Sequence, residues 1–266
     1  MYDFSKIKKF FVSLTKKTLR ICVLVSLGIF VVYPTGISTK SEIYQKRSNI
    51  PETNNPFPFD SFAFISVESE LFSGNESVGG MTSSASGIVV MTNDQVHTYI
   101  LTAGHVCDPA YETKGVYPIN MSAKSDVSVY DYFGNLHETE VLGVDYNHDL
   151  CLLRSPDIWT PGVTLSKYQS KIGEKVYAIS APHSIFSPGN ALLFDGYFTG
   201  FDPGNNAFYT IPTKPGSSGA GVLNDSGELI GIIHSAPGSF ENLAIASSIK
   251  NVKYFLFEYV NPVVTF

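Results

Sequence analysis

From residue 62 onward, apolar residues fall in short runs separated by Gly, Asn, Asp and Pro, the pattern of strands joined by tight turns. The first set of runs is Phe62–Val67, Ser86–Met91, Thr98–Thr102, Val127–Tyr132, Glu138–Val144 and Leu150–Leu153, with turns predicted at Gly79-Gly80, Asn93-Asp94 and Gly134-Asn135. The second set is Lys175–Ser180, Ala191–Phe201, Ala207–Ile211, Gly221–Leu223, Leu229–His234 and Asn242–Ala246, with a hairpin turn at Asp225-Ser226-Gly227. Six strands in each set predict two closed antiparallel barrels, at about 61–155 and 174–248, joined by a crossover over 155–173 that carries Pro156, Pro161 and Gly173. Only the last stretch changes period. Ile249, Val252, Phe255 and Leu256 recur at helical spacing, which predicts a C-terminal helix over 249–260 packed on the barrels. The expected fold class is therefore all-β: two six-stranded antiparallel barrels with a C-terminal helix.

The N-terminus follows another pattern. Lys6, Lys8, Lys9, Lys16, Lys17 and Arg20 precede an apolar run from Ile21 to Tyr33, which ends at the breaker Pro34 and the small residues Gly36 and Ser38. A basic stretch, an apolar stretch and small residues in that order read as an export signal over 1–38, cleaved or retained as an anchor. The run is shorter than the ~20 residues of a spanning helix, and the basic excess before it places the remainder outside the cytoplasm, whether periplasmic, extracellular or luminal. Residues 39–60, polar and with Pro56 and Pro58 near the end, read as a linker or loosely docked arm ahead of a domain over 61–266.

Composition narrows the function classes. Aromatic residues make up 13% of the 266, with 15 Tyr and 19 Phe, which favours strands. The net charge is −6, and without residues 1–38 it becomes −11, from 12 basic and 23 acidic residues. So acidic a domain is not expected to bind nucleic acid, and membrane contact is expected only through the N-terminal segment. The histidines show no paired ligand spacing, so neither a metal nor another cofactor is expected.

Three short motifs carry candidate chemistry. Thr102-Ala103-Gly104-His105-Val106 follows an apolar strand and delivers a histidine at its end. Asp145-Tyr146-Asn147-His148-Asp149-Leu150 places an aspartate at the start of another, where its carboxylate can hold an imidazole N–H. Gly216-Ser217-Ser218-Gly219-Ala220-Gly221 sets a serine in a tight glycine loop, which can present a hydroxyl and backbone N–H groups to one point. Singly these are ordinary turn residues. Together His105, Asp149 and Ser218 form a candidate base, orienting acid and nucleophile, in that order.

These motifs resemble the trypsin/chymotrypsin-fold serine peptidases, and in particular their bacterial-type branch, which includes the HtrA proteases. Thr102–Val106 matches the branch's histidine motif, and Asp145–Arg154 its pair of aspartates followed by aliphatics and a basic residue. Pro215-Gly216-Ser217-Ser218-Gly219-Ala220 resembles Pro-Gly-Asn-Ser-Gly-Gly, and Gly227–Ile232 and Leu243–Ala246 match strands that follow. The likeness extends over about residues 60–258. It implies a chymotrypsin-like fold, a serine endopeptidase acting on protein or peptide substrates through an acyl-enzyme, and an oxyanion hole from the N–H groups of Gly216 and Ser218. The sequence departs from the pattern at Ser217, where the relatives carry Asn or Asp. Zymogen activation through a buried acid at that position is therefore not expected. No PDZ-like segment is read after the peptidase domain.

By the same resemblance, residues 211–215 and 234–236 line the primary specificity pocket, which brings in Thr213, His234, Ser235 and Ala236 as substrate-binding residues. The pocket base near Pro212 carries no acid, which argues against cleavage after Arg or Lys. Alternation along a strand turns His234 toward Asp149 rather than into the pocket. A small or aliphatic preference therefore ranks ahead of a glutamate preference. Cys107 and Cys151 each lie two residues beyond a proposed triad member, so they are either a disulfide or two buried thiols. The rival to an enzyme is a peptidase-fold module that binds peptides or proteins with little turnover.

Overall fold

The strands form where β-branched and aromatic residues alternate or run together, and hydrogen bonding assembles them into two sheets. In the computed structural model the described residues are 57–94, 96–108, 121–157, 159–238, 240 and 242–265. The expected export segment over 1–38, and the expected linker as far as residue 56, lie outside them. The first half contains β1 (Phe62–Ser73), β2 (Glu76–Val90), β3 (Thr98–Thr102), β4 (Met121–Asp131), β5 (Leu136–His137), β6 (Glu140–Asp145) and β7 (Leu150–Ser155). A helical turn, α1 (Gly104–Cys107), follows β3. The second half contains β8 (Lys175–Ser180), β9 (Leu192–Phe201), β10 (Asn206–Tyr209), β11 (Gly221–Leu223), β12 (Leu229–Ser235) and β13 (Ala244–Ser248), and then α2 (Ile249–Tyr259).

The all-β class with a C-terminal helix holds, with a difference in closure. The second half is a closed six-stranded barrel in the order β10-β13-β12-β11-β8-β9, whereas the first is a seven-stranded sheet in the order β5-β4-β1-β2-β3-β7-β6. The expected run Glu138–Val144 corresponds to β6, which pairs with β7, while the two-residue β5 just before it was not expected and pairs with β4. Those strands occupy opposite edges of the sheet, so the first half is a half-barrel.

The hairpin at its centre also differs from expectation. Gly79 and Gly80 do not turn; they lie within β2, opposite Leu71 and Glu70. The chain reverses instead at Gly74-Asn75, where Gly74 has φ +62°, a value only glycine reaches freely. Glycines are tolerated in β2 because this end of the strand is exposed and has little to pack. The turn at Asp225-Ser226-Gly227 falls where expected, with Gly227 at φ +75°.

The two halves share one core. Phe62, Ile88, Leu101, Leu150 and Leu152 of the first pack with Ile179, Leu223, Leu229 and Ile232 of the second. Ile249, Val252, Phe255 and Leu256, the helical stripe of α2, complete the cluster. The arm before β1 docks as well: Phe57 lies 4.6 Å from the ring of Tyr177 and Phe59 5.8 Å from that of Tyr132. Leu256 is fully buried, so Leu256→Ala is expected to cost about 2–5 kcal/mol, read as a lower denaturant midpoint.

Candidate active site

β3 ends at Thr102, and the single turn of α1 carries His105 just past the end of that strand. β3 pairs with β7 so that Thr102 lies opposite Cys151, which brings the turn before β7 alongside α1. In that turn Asp149 adopts φ +51°, a left-handed conformation that Asp and Asn tolerate better than most residues. Both of its carboxylate oxygens engage His105. The His105 backbone N–H donates to Oδ1 at 2.8 Å, and Nδ1 lies 2.8 Å from Oδ2. Glycine at 104 leaves room for this approach; a Cβ there would stand 3.0 Å from Asp149 Oδ1 and 3.2 Å from Leu150 N, a tight contact. With Nδ1 held by the carboxylate, Nε2 is the basic nitrogen of the neutral ring.

Burial alone would raise the pKa of Asp149, but the ring hydrogen bond, the charge and the backbone N–H of His105 outweigh it and leave the carboxyl below its ordinary value. His234 approaches the same oxygen, with Nδ1 3.9 Å from Asp149 Oδ2 and 3.0 Å from the Ser235 hydroxyl. Its Nε2 is buried without a hydrogen-bond partner among the described residues. Burial pushes His234 below its ordinary pKa, against the pull of Asp149. A bulge between Ile233 and Ser235 sets this histidine at the barrel rim. His148, next to Asp149 in sequence, turns away; its Nδ1 lies 2.6 Å from Asp145 Oδ2, and its carbonyl accepts from the Ser247 hydroxyl.

Cys107 and Cys151 are joined as a disulfide, with Cα atoms 6.4 Å apart. It ties the turn bearing His105 to the strand that follows Asp149. Neither cysteine is expected to alkylate before reduction, and reduction is expected to cost about 2–4 kcal/mol of stability, seen as a shift of the thermal midpoint.

The serine loop is fixed peptide by peptide. The Pro215 carbonyl accepts from His183 N at 2.7 Å, and the Gly216 carbonyl from the Ser86 hydroxyl at 2.8 Å. The Ser217 carbonyl accepts from Ala220 N at 3.1 Å, and the Ser218 carbonyl from Ser86 N at 2.8 Å. Ser217 N donates to Lys214 O at 2.9 Å and Gly219 N to Ile233 O at 2.6 Å. Among the described residues, the N–H groups of Gly216 and Ser218 make no such bond. Because N–H and C=O of a trans peptide point in opposite directions, the bond from His183 to Pro215 turns the Gly216 N–H away from His183. Gly216 has φ +97° and Gly219 φ +85°. A Cβ on Gly219 would fall 2.1 Å from Thr102 Oγ1, so this residue presses on the strand end just before His105.

The trypsin-like peptidase domain model matches residues 85–232, more than half of the chain. The chain belongs to this peptidase family. Solved structures agree in fold. The active form of the Rv3671c protease from M. tuberculosis superposes with a TM-score of 0.54 at 16% identity, over 78% of this chain and 87% of that one. A variant of the HtrA-type protease AlgW with a decapeptide gives 0.57 at 18% identity, over 75% and 64%. A serine endoprotease from Yersinia pestis gives 0.53 at 22% identity, over 73% and 61%. The peptidase domain thus spans less than two thirds of the latter two proteins. Curated protein sequences yield no match.

Among the expected substrate-binding residues, Thr213 is buried and its hydroxyl donates to Ile211 O at 3.1 Å. Ser235 is exposed and Ala236 half-buried beyond the His234 bulge. Sequence reasoning passed over Ser86 and Thr102 as contacts of the serine loop. Both read as ordinary strand residues, and Ser86 follows the hydroxyl-rich Thr82-Ser83-Ser84, so nothing local marks it out.

Proposed function

We propose that this trypsin-like peptidase is an endopeptidase working through Ser218, His105 and Asp149. The observation that carries the reading is the paired bond of His105 to Asp149, set beside a serine loop with two uncommitted N–H groups. Ser218 Oγ attacks the scissile carbonyl as His105 Nε2 takes its proton. Asp149 stabilises the imidazolium that forms. The developing oxyanion lies between the N–H groups of Gly216 and Ser218, an arrangement worth about 3–4 kcal/mol in the transition state. His105 then returns the proton to the leaving amine, and water hydrolyses the acyl-enzyme by the same route.

The substrates are proteins or peptides, bound along Ser235 and Ala236, with a small or aliphatic side chain before the cleaved bond. Supporting that preference, the Thr213 hydroxyl is committed to Ile211 O and His234 turns to Asp149, so neither is poised for a substrate carboxylate. The site of action is outside the cytoplasm, free or anchored by residues 1–38. Labelling with a fluorophosphonate at neutral pH, followed by peptide mapping, tests the reading. Covalent modification of Ser218 with cleavage of a peptide library is the expected result. A folded, disulfide-bonded protein that neither labels nor cleaves is a binding module instead.

A further inference from the structure

Ser217 stands where the family pattern has Asn or Asp, so the serine loop has no such side chain here. Ser217 is fully buried, and among the described residues its hydroxyl accepts a single long contact of 3.4 Å, from Lys214 N. The loop is nevertheless held, and the holding residue comes from the other half of the molecule. Ser86 is 0% exposed where β2 passes beneath the loop. Its N–H donates to Ser218 O and its carbonyl accepts from Thr102 Oγ1, both at 2.8 Å. Its hydroxyl accepts from Ala181 N at 3.0 Å and donates to Gly216 O at 2.8 Å. The direction of the last bond is fixed by chemistry: Ala181 N–H can only donate, and a carbonyl can only accept.

We propose that the Ser86 hydroxyl is a positioning group for the oxyanion hole, acting through the Gly216–Ser217 peptide. This rests on the serine-peptidase reading. Gly216 joins two peptides and, having no Cβ, offers little resistance to rotation of either. The Pro215 carbonyl on one side is held by His183 N and the Gly216 carbonyl on the other by Ser86. Only with both held are the dihedrals of Gly216 fixed and its N–H aimed at the oxyanion site. Without the hydroxyl, a buried carbonyl and the Ala181 N–H both lose their partner, and rotation of the glycine peptides relieves the carbonyl. The first half of the domain thus contributes to the oxyanion hole of the second.

The test compares Ser86→Ala with the wild-type, disulfide-bonded protein. Three quantities are read: kcat and KM on a peptide substrate, affinity for a peptidyl trifluoromethyl ketone, and affinity for the corresponding unreactive peptide. The ketone forms an oxyanion on the enzyme and the unreactive peptide does not. Ser86→Ala is expected to lower kcat and ketone affinity together, each about 10- to 100-fold, with KM and peptide affinity within about twofold. Unchanged kcat and ketone affinity overturn the proposal. So does an equal loss for ketone and peptide, which marks a general structural defect. If Ser86→Ala does not fold, Ser86→Thr and Ser86→Val are compared, since they match in shape and differ in the hydroxyl. Retention of ketone affinity by Thr but not Val supports the role, and equal behaviour overturns it. A wild-type protein that fluorophosphonate leaves unlabelled overturns the peptidase reading, and this inference with it. A labelled wild type with an unaffected Ser86→Ala overturns only this inference.

Discussion

Asp149→Asn is expected to reduce kcat about 10⁴-fold while the domain stays folded. The magnitude follows from the geometry of two bonds rather than from loss of charge alone. Asn tolerates the φ of +51° at this turn, so the backbone need not move. The His105 backbone N–H requires an acceptor, which places the amide oxygen where Oδ1 stands now. The amide nitrogen then faces Nδ1, where Oδ2 was. Two donors cannot pair, so the imidazole must carry its proton on Nε2 and present a lone pair to the amide. A histidine in that tautomer cannot take a proton from Ser218. Steady-state kinetics on a cleavable peptide, with circular dichroism and the thermal midpoint as controls, give the measurement. A loss below tenfold with an intact fold would remove Asp149 from the proposed mechanism.

Ser218→Ala should cost more, on the order of 10⁶-fold in kcat, and abolish fluorophosphonate labelling. Little else should change, because the Ser218 contacts that hold the loop are made by its backbone carbonyl, which alanine retains. Peptide affinity is therefore expected to persist, and the variant should trap substrate complexes. Ser217→Ala is the control, since among the described residues the Ser217 hydroxyl makes a single long contact, with Lys214. If both variants keep activity, the nucleophile lies elsewhere.

The parts of this molecule legible in the sequence are those written in local pattern. The runs at Thr98–Thr102, Lys175–Ser180 and Gly221–Leu223 coincide with strands, and the apolar stripe of α2 is the face it buries. What escaped depends on partners distant in sequence. Gly79-Gly80 reads as a turn because glycine is ambiguous between turn and strand; the pairing with Glu70 and Leu71 decides it. Closure of the first half could not be counted from strands, because β5 has only two residues and joins β4. Ser86 lies 130 residues from Gly216, and nothing in either segment announces the other. The positions of His105 and Asp149 were readable, but the left-handed backbone that turns the carboxylate toward the ring was not.

The core that unites the two halves has a consequence for the order of events in synthesis. Its buried contributors Ile249 to Leu256 follow all the described strands in the chain. Until α2 emerges, Leu152 and Leu229 lack part of their packing, and the core that joins the sheet carrying His105 to the barrel carrying Ser218 is incomplete. A nascent chain can thus complete most of its strands while still unable to cut its neighbours or itself. Stalled chains ending before Ile249 are expected to resist fluorophosphonate labelling, and chains extended past Val264 to accept it. Competence is expected as one event after the strands are made, set by a helix that carries neither Ser218 nor His105.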